Sequence, residues 1–292
     1  MATALMQTIL RRESRNGTNR PIAGALILLS SIFLPLLLIV VASLGIAQDK
    51  KPDNSPQLLI ATPLGIVAGQ ATKVVLRGKR LDETKELQIN GQANVAKILS
   101  KSKSAPPQKL DANRAGDSQL EVELTLPADT KPGECELVAI TDTGRSAVFK
   151  LFVDARPLTA EKEPNDGFAQ AQAIHIGETL EGTLHQPQNV DVFRFDGQAG
   201  DKLICEVLAA RRGSALDATL SLFDARRQWI DTADDLSNAD VEEKSPTSDW
   251  SRRDARLEVT LPSSGKFFLV VQDANDLGGH THPYRLHVSK RQ

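Results

Sequence analysis

One short segment concentrates the oxygen chemistry of this chain: Glu161-Lys162-Glu163-Pro164-Asn165-Asp166, followed by Gly167-Phe168. Pro164 biases Glu163 toward an extended backbone. In an extended chain Glu161 and Glu163 point to the same side. Asn165 and Asp166 turn readily, which swings their oxygens back toward the glutamates. Three carboxylates and one amide oxygen within six residues are hard to hold together without a cation. Oxygen-only donors suit Ca²⁺, which takes about six to eight ligands at roughly 2.3–2.6 Å. Neither a thiol nor an imidazole belongs to the set, which disfavours zinc. The same residues also read as a solvated acidic linker ending in an Asn-Asp-Gly turn, and spacing alone leaves both readings open.

Other reactive side chains fall into no catalytic pattern. The run Gly144-Arg145-Ser146-Ala147-Val148 lacks the closing glycine of a nucleophile elbow. No H-E-x-x-H, phosphate loop or dinucleotide fingerprint occurs. His280-Thr281-His282 has a spacing that could ligate a metal on a strand. It lies between Gly278-Gly279 and Pro283, so a solvated loop is expected. Asp234-Asp235 and Asp240-Val241-Glu242-Glu243 read as a solvated charge run. Cys135 and Cys205 lie inside strand-like runs with no C-x-x-C, so two buried free thiols in separate domains are expected. The chain is therefore expected not to be an enzyme. A hydrolase with an unrecognised site is the alternative; it would need Asp234, Asp235, His280 and His282 to converge on a cleft.

The elements that would position these groups have the period of strands. Leu120, Val122, Leu124 and Leu126 alternate with Glu121, Glu123 and Thr125. That pattern lays four apolar side chains on one face of a half-buried strand. Further strands are expected at 58–61, 73–77, 86–89, 135–140 and 147–153. A second series follows at 180–184, 190–195, 202–208, 218–223, 257–261, 266–272 and 284–288. Turn residues such as Asn90-Gly91 and Pro132-Gly133 punctuate them. Residues 100–118 and 236–256 read as long polar loops, and no helical period is sustained after residue 48. The expected fold is all-β: two consecutive antiparallel β-sandwiches at 57–154 and 161–292, joined by a linker at 155–160. Only Phe149 and Phe152 are aromatic in the first, so aliphatic residues must build its core.

The N-terminus sets the compartment. Arg11, Arg12, Arg15 and Arg20 precede an uncharged apolar stretch at 22–46, about 37 Å long as a helix. Gly45-Ile46-Ala47 offers small residues for cleavage, and a polar spacer fills 48–56. Residues 1–47 are therefore a signal peptide or, if uncleaved, a membrane anchor that touches the membrane through 22–46 alone. Either way the remainder is exported: secreted, periplasmic or attached to the cell envelope. With 35 Lys+Arg against 37 Asp+Glu, the chain has no cationic excess for nucleic acid.

Residues 161–292 resemble the bacterial pre-peptidase C-terminal domain. The likeness runs through Glu163-Pro164-Asn165-Asp166 and Ala171, Gly182-Thr183-Leu184, Val190-Asp191-Val192-Phe193-Arg194-Phe195 and Ala199-Gly200-Asp201. It continues through Leu216-Asp217-Ala218-Thr219-Leu220, Asp234-Asp235, Leu261-Pro262, Ser264-Gly265-Lys266-Phe267-Phe268 and Tyr284-Arg285-Leu286. The resemblance implies a jelly-roll-type sandwich, usually appended to secreted proteases and other exported proteins. The related collagen-binding domains of bacterial collagenases bind Ca²⁺ near the domain entrance. Their pattern matches Glu161, Glu163, Asn165 and Asp166, and a later aspartate matches Asp191. Two positions depart: Gln188 stands where a further acid is expected, and Phe193 where an aromatic hydroxyl is expected. Residues 57–154 are similar, through Gly69 to Gly78 with Leu81, Leu124-Thr125-Leu126-Pro127, Pro132-Gly133 and Thr143-Gly144-Arg145-Ser146, to immunoglobulin-like IPT/TIG-type domains.

The expectation is thus an exported, non-catalytic binding or adhesion protein with an extracellular protein or polysaccharide as partner. Structural Ca²⁺ would sit at the interdomain junction. The alternative outside the hydrolase class is an accessory to the secretion or folding of a secreted protease.

Overall fold

The computed structural model describes residues 54–93, 95–236 and 252–291. The expected signal or anchor at 1–47, most of the polar spacer and the centre of the second polar loop lie outside the described residues. Among those described, no helix is long and apolar enough to cross a membrane.

Among the described residues, nineteen strands build four sheets, paired face to face. In the N-terminal sandwich one sheet has the order β1(Gln57–Thr62), β3(Thr72–Lys79), β6(Ser118–Leu124), β5(Ala96–Lys103). Its partner has the order β2(Gly65–Val67), β9(Phe149–Asp154), β7(Gly133–Thr141), β4(Glu86–Ile89), with β8(Gly144–Arg145) paired to β7. A single turn of helix, α1(Ala112–Ala115), is capped by the Asp111 side chain. The enclosed core is aliphatic, with Val74, Leu76, Leu120, Val122, Leu124, Leu137 and Leu151 at its centre. The alternation over 118–124 produces this face: every second residue of β6 is buried.

In the C-terminal sandwich one sheet runs β10(Thr159–Ala160), β12(Thr179–Thr183), β19(Pro283–Lys290), β14(Lys202–Leu208), β17(Arg256–Thr260). The other runs β11(Gln172–Ala173), β13(Val190–Gly197), β18(Gly265–Asp273), β15(Ala218–Phe223), β16(Trp229–Ala233). Phe193, Phe195, Phe267 and Tyr284 join aliphatic residues in its core. Phe267 to Val271 sits on the central strand β18, which explains its uninterrupted apolar run. Cys135 and Cys205 are free thiols buried in the two separate cores.

The all-β, two-sandwich architecture is the one expected, with three departures. The edge pairs β2–β9, β10–β12 and β11–β13 are parallel. The stretch 100–118 is not all loop: 96–103 is an edge strand hydrogen-bonded to β6, and 112–115 is helical. Exposed edge positions carry Lys97, Lys101 and Lys103, so no apolar alternation marks the strand. His280-Thr281-His282 is a loop, but only His280 is exposed to solvent. Thr281 and His282 are fully buried, because their carbonyls accept from Ala215 N and Leu184 N.

Candidate functional site

The acidic segment enters the C-terminal sandwich immediately after β10. Glu161 N donates to Glu181 O (2.9 Å), which prolongs the β10–β12 pairing and turns the Glu161 side chain inward. Its carboxylate then accepts from Thr183 N (2.8 Å) and from Asn165 Nδ2 (2.9 Å). Glu163 accepts from Asn165 N (2.9 Å) through one oxygen, and its other oxygen lies 3.0 Å from His185 Nδ1. Asn165 is buried and anchors the segment to β13 by accepting from Val192 N (2.9 Å).

Asp191, on β13, meets this segment from below. It is fully buried and points into the sandwich one step before the core residue Phe193. Tyr284 on β19 donates to one Asp191 oxygen (2.6 Å), and Asn189 donates to the other (3.0 Å). The same Asn189 amide donates to Asp166 (2.9 Å), so it ties Asp166 to Asp191. All five residues named from the sequence therefore meet at one place, although Asp166 and Glu163 sit at its exposed rim.

The electrostatics of this cluster are uncompensated. Burial, then the neighbouring Glu161 and Glu163 carboxyls, push Asp191 up to about 10, against a smaller opposing effect of the Tyr284 hydrogen bond. Burial, then the Asp191 and Glu161 carboxyls, carry the Tyr284 hydroxyl well above its ordinary range. The Asn165 Oδ1 atom is buried and accepts no hydrogen bond. A buried acceptor without a donor costs about 1–3 kcal/mol, and crowded carboxylates add to that cost. A hard divalent cation relieves both together, and the oxygen donors present fit Ca²⁺.

Four participants were not visible in the linear segment. Tyr284 supplies an aromatic hydroxyl from a different strand, while Phe193, where one was expected, belongs to the core. Gln188 is a turn residue at φ 65°, and its neighbour Asn189 bridges the acids instead. His185, outside the segment, brings an imidazole to the rim. One donor atom from each of Glu161, Glu163 and His185 fits within 4.8 Å of the others. Gly182 makes room: a Cβ there would lie 2.8 Å from Glu161 Oε2 and from the Tyr284 ring and hydroxyl. In the sequence, only the Gly182-Thr183-Leu184 and Tyr284-Arg285-Leu286 motifs signal any of this.

The residues named for a hydrolytic site fall into two groups linked through Asp273, which lies 4.0 Å from the His282 ring and accepts from Asp217 N (2.9 Å). Asp234 and Asp235 gather beside Asp217, which is paired with Arg253. Burial and these neighbouring acids raise Asp234 to about 6. His280 instead contacts Arg77 of the N-terminal sandwich, and His282 contacts Thr281. Two clefts among the described residues bear on this. One, of about 330 Å³, lies between the sandwiches and is lined by Thr62, Ile66, Leu158, Glu181 and Thr183 among others. The other, of about 450 Å³, runs beside β11 past His175, Arg194 and Lys266. None of Asp234, Asp235, His280 and His282 lines either one.

No protein-family model matches the chain. Over 246 residues it is 27% identical to the probable subtilase-type serine protease of Deinococcus radiodurans, an alignment covering 80% of this chain. The same alignment takes in 32% of that protein, so the chain spans just under a third of its relative's length. Among solved structures, the pre-peptidase C-terminal domain of a Bacillus anthracis collagenase is similar at 17% identity and a TM-score of 0.29. That likeness covers 46% of this chain and 99% of the collagenase domain. The Bacteroides ovatus mixed-linkage glucan utilization protein SGBP-B, solved with a heptasaccharide, is similar at 8% identity and a TM-score of 0.26. It matches 75% of this chain and 74% of its own.

Proposed function

We propose that this chain is an exported, non-catalytic binding module whose C-terminal sandwich holds a structural Ca²⁺ at its entrance. The observation that carries the cation is the pairing of an unsatisfied, buried Asn165 Oδ1 with the buried, uncompensated Asp191. Glu161, Glu163, Asn165, Asp166 and Asp191 would hold the ion, and Tyr284 and Asn189 would hold Asp191 in place. Bound there, Ca²⁺ would supply charge neutralisation and rigidity rather than reactivity. The basic and apolar N-terminus supports export. The lack of a nucleophile elbow, an H-E-x-x-H or a phosphate loop in the sequence supports a non-catalytic role. An extracellular protein or polysaccharide is the partner class in this reading.

The site sits beside the junction of the sandwiches. Strands β12 and β19 present Gly182 and Tyr284 to the acids, while the next residues along, Glu181 and Arg285, face Asp154 of the other sandwich. A cation would thus stiffen the two strands that also carry the junction. Thermal melting of the full chain tests the reading. At about 10 mM Ca²⁺ and a dissociation constant of about 1 mM, the melting temperature should rise by about 3–6 °C. An unchanged midpoint, or an equal rise with Mg²⁺, rejects the site.

The alignment with the Deinococcus protein favours a second reading, in which the sandwiches accompany a secreted protease and assist its folding or export. Recovery of a protease with the tagged chain from culture supernatant supports it; a partnerless monomer counts against it.

A further inference from the structure

The seam between the two sandwiches is built mainly from arginine. Arg285 forks onto Asp154 (2.7 and 3.1 Å) and reaches Glu181 (3.2 Å). Arg114 of α1 donates to Ser214 O (2.9 Å). Arg77 of β3 differs from both. It is 1% exposed, and its hydrogen bonds go to Ala115 O, Ser104 Oγ, Ser104 O, Ala105 O and His280 Nε2. Every acceptor is neutral; the nearest acid acting on it, Asp117, does so only through space. Four of the five lie in its own sandwich. The fifth, His280 Nε2 at 2.9 Å, crosses the seam.

A guanidinium only donates. His280 Nε2 must therefore be the acceptor, with the ring proton on Nδ1. Protonation turns Nε2 into a donor and sets imidazolium against guanidinium, so the contact cannot survive it. His280 keeps an exposed side through which the proton can arrive. The same residue accepts from Thr62 Oγ1 of β1 through its carbonyl (3.0 Å), so the end of its loop is held on the N-terminal sandwich at two points. The charged groups around it reinforce the effect. Arg77 faces it from β3 and Arg114 acts on its loop neighbour His282 from α1. Asp273 lies 4.0 Å from the His282 ring, not beside His280.

We propose that the Arg77–His280 contact is an acid-released latch: a proton on His280 Nε2 breaks it and frees the 274–282 loop from the N-terminal sandwich, while both sandwiches stay folded. Burial and Arg77 already hold the His280 ring below its ordinary range. A histidine lowered on closing the latch favours the closed form fully above about pH 6.5, and loses that contribution as pH falls through the lowered value.

The test is the distance between spin labels on the full chain in detergent, attached at Lys97→Cys on the N-terminal sandwich and Asp276→Cys on the loop itself, both exposed. The native cysteines are buried and take no label. At pH 7.5 one narrow distance is expected. At pH 5.0 more than half of the population should move into a broad distribution with the far-ultraviolet β signal intact. H280Q, whose amide oxygen accepts from Arg77 at every pH, should stay narrow at both. An unchanged distance in the native sequence at pH 5.0, broadening of H280Q equal to the native response, or loss of the β signal with the opening each overturns the latch.

Discussion

The two sandwiches solve the same packing problem with different interiors. The N-terminal core is aliphatic, and its buried polar residues are Arg77, Thr84, Ser118, Thr141 and Ser146, with no acid among them. The C-terminal sandwich buries four aspartates: Asp191, Asp217, Asp254 and Asp273. Three of these have compensation. Asp254 takes Arg211 (2.6 Å) and the amides of Ala209 and Ala210. Asp217 takes Arg253 and Asn275, and Asp273 accepts from the amides of Asp217, Asn275 and Leu277. Asp191 alone has neither a cationic partner nor a backbone donor, only Tyr284 and Asn189, and it lies against Glu161. Equal burial with unequal partners separates a structural aspartate from a candidate ligand.

The largest expected effect sharpens that contrast from the compensated side. Arg211→Met leaves the fully buried Asp254 with backbone donors alone, and should cost about 3–5 kcal/mol in urea unfolding. A loss below about 1 kcal/mol would mean that the amides suffice and that the distinction from Asp191 is false.

Asp191→Asn makes the opposite prediction. The native carboxyl is raised, so in chelator its ionised form is disfavoured by folding, and the cation-free protein should lose stability as pH rises from about 4 toward 10. The Asn variant should lack that slope, melt no lower than the native chain in chelator at pH 8, and lose the whole Ca²⁺-dependent rise. A variant that melts lower in chelator and keeps the calcium response would break the comparison. The smallest effect belongs to the surface of the first sandwich. Lys85–Asp142 (2.6 Å) is solvent-exposed, so a double-mutant cycle should return about 0–1 kcal/mol.

The strands were legible wherever one face is buried. The apolar positions of β6, β13, β18 and β19 fall every second residue or in an unbroken central run, and all four strands stand where that pattern puts them. β5 and β16 escaped notice because they are edge strands: neighbours supply hydrogen bonds, so solvent-facing lysines and threonine need no period. His280-Thr281-His282 was misread for a related reason. Glycines around it suggest a loop, and a loop it is, but Thr281 and His282 within it are buried, held by Ala215 and Leu184 from distant parts of the chain.

Sequence by itself determined the residue types, the period-two faces and the short-range arrangement of Glu161, Glu163, Asn165 and Asp166. Each follows from local backbone geometry acting over a few residues. Tertiary structure alone decided that Tyr284, 123 positions beyond Glu161, would share a site with it, and that Asn189 rather than Gln188 would bridge the acids. It alone set His280 on Arg77, 203 positions away. Such pairings depend on which strands become neighbours, and that is settled by burying two whole cores at once, not by any segment's own preference.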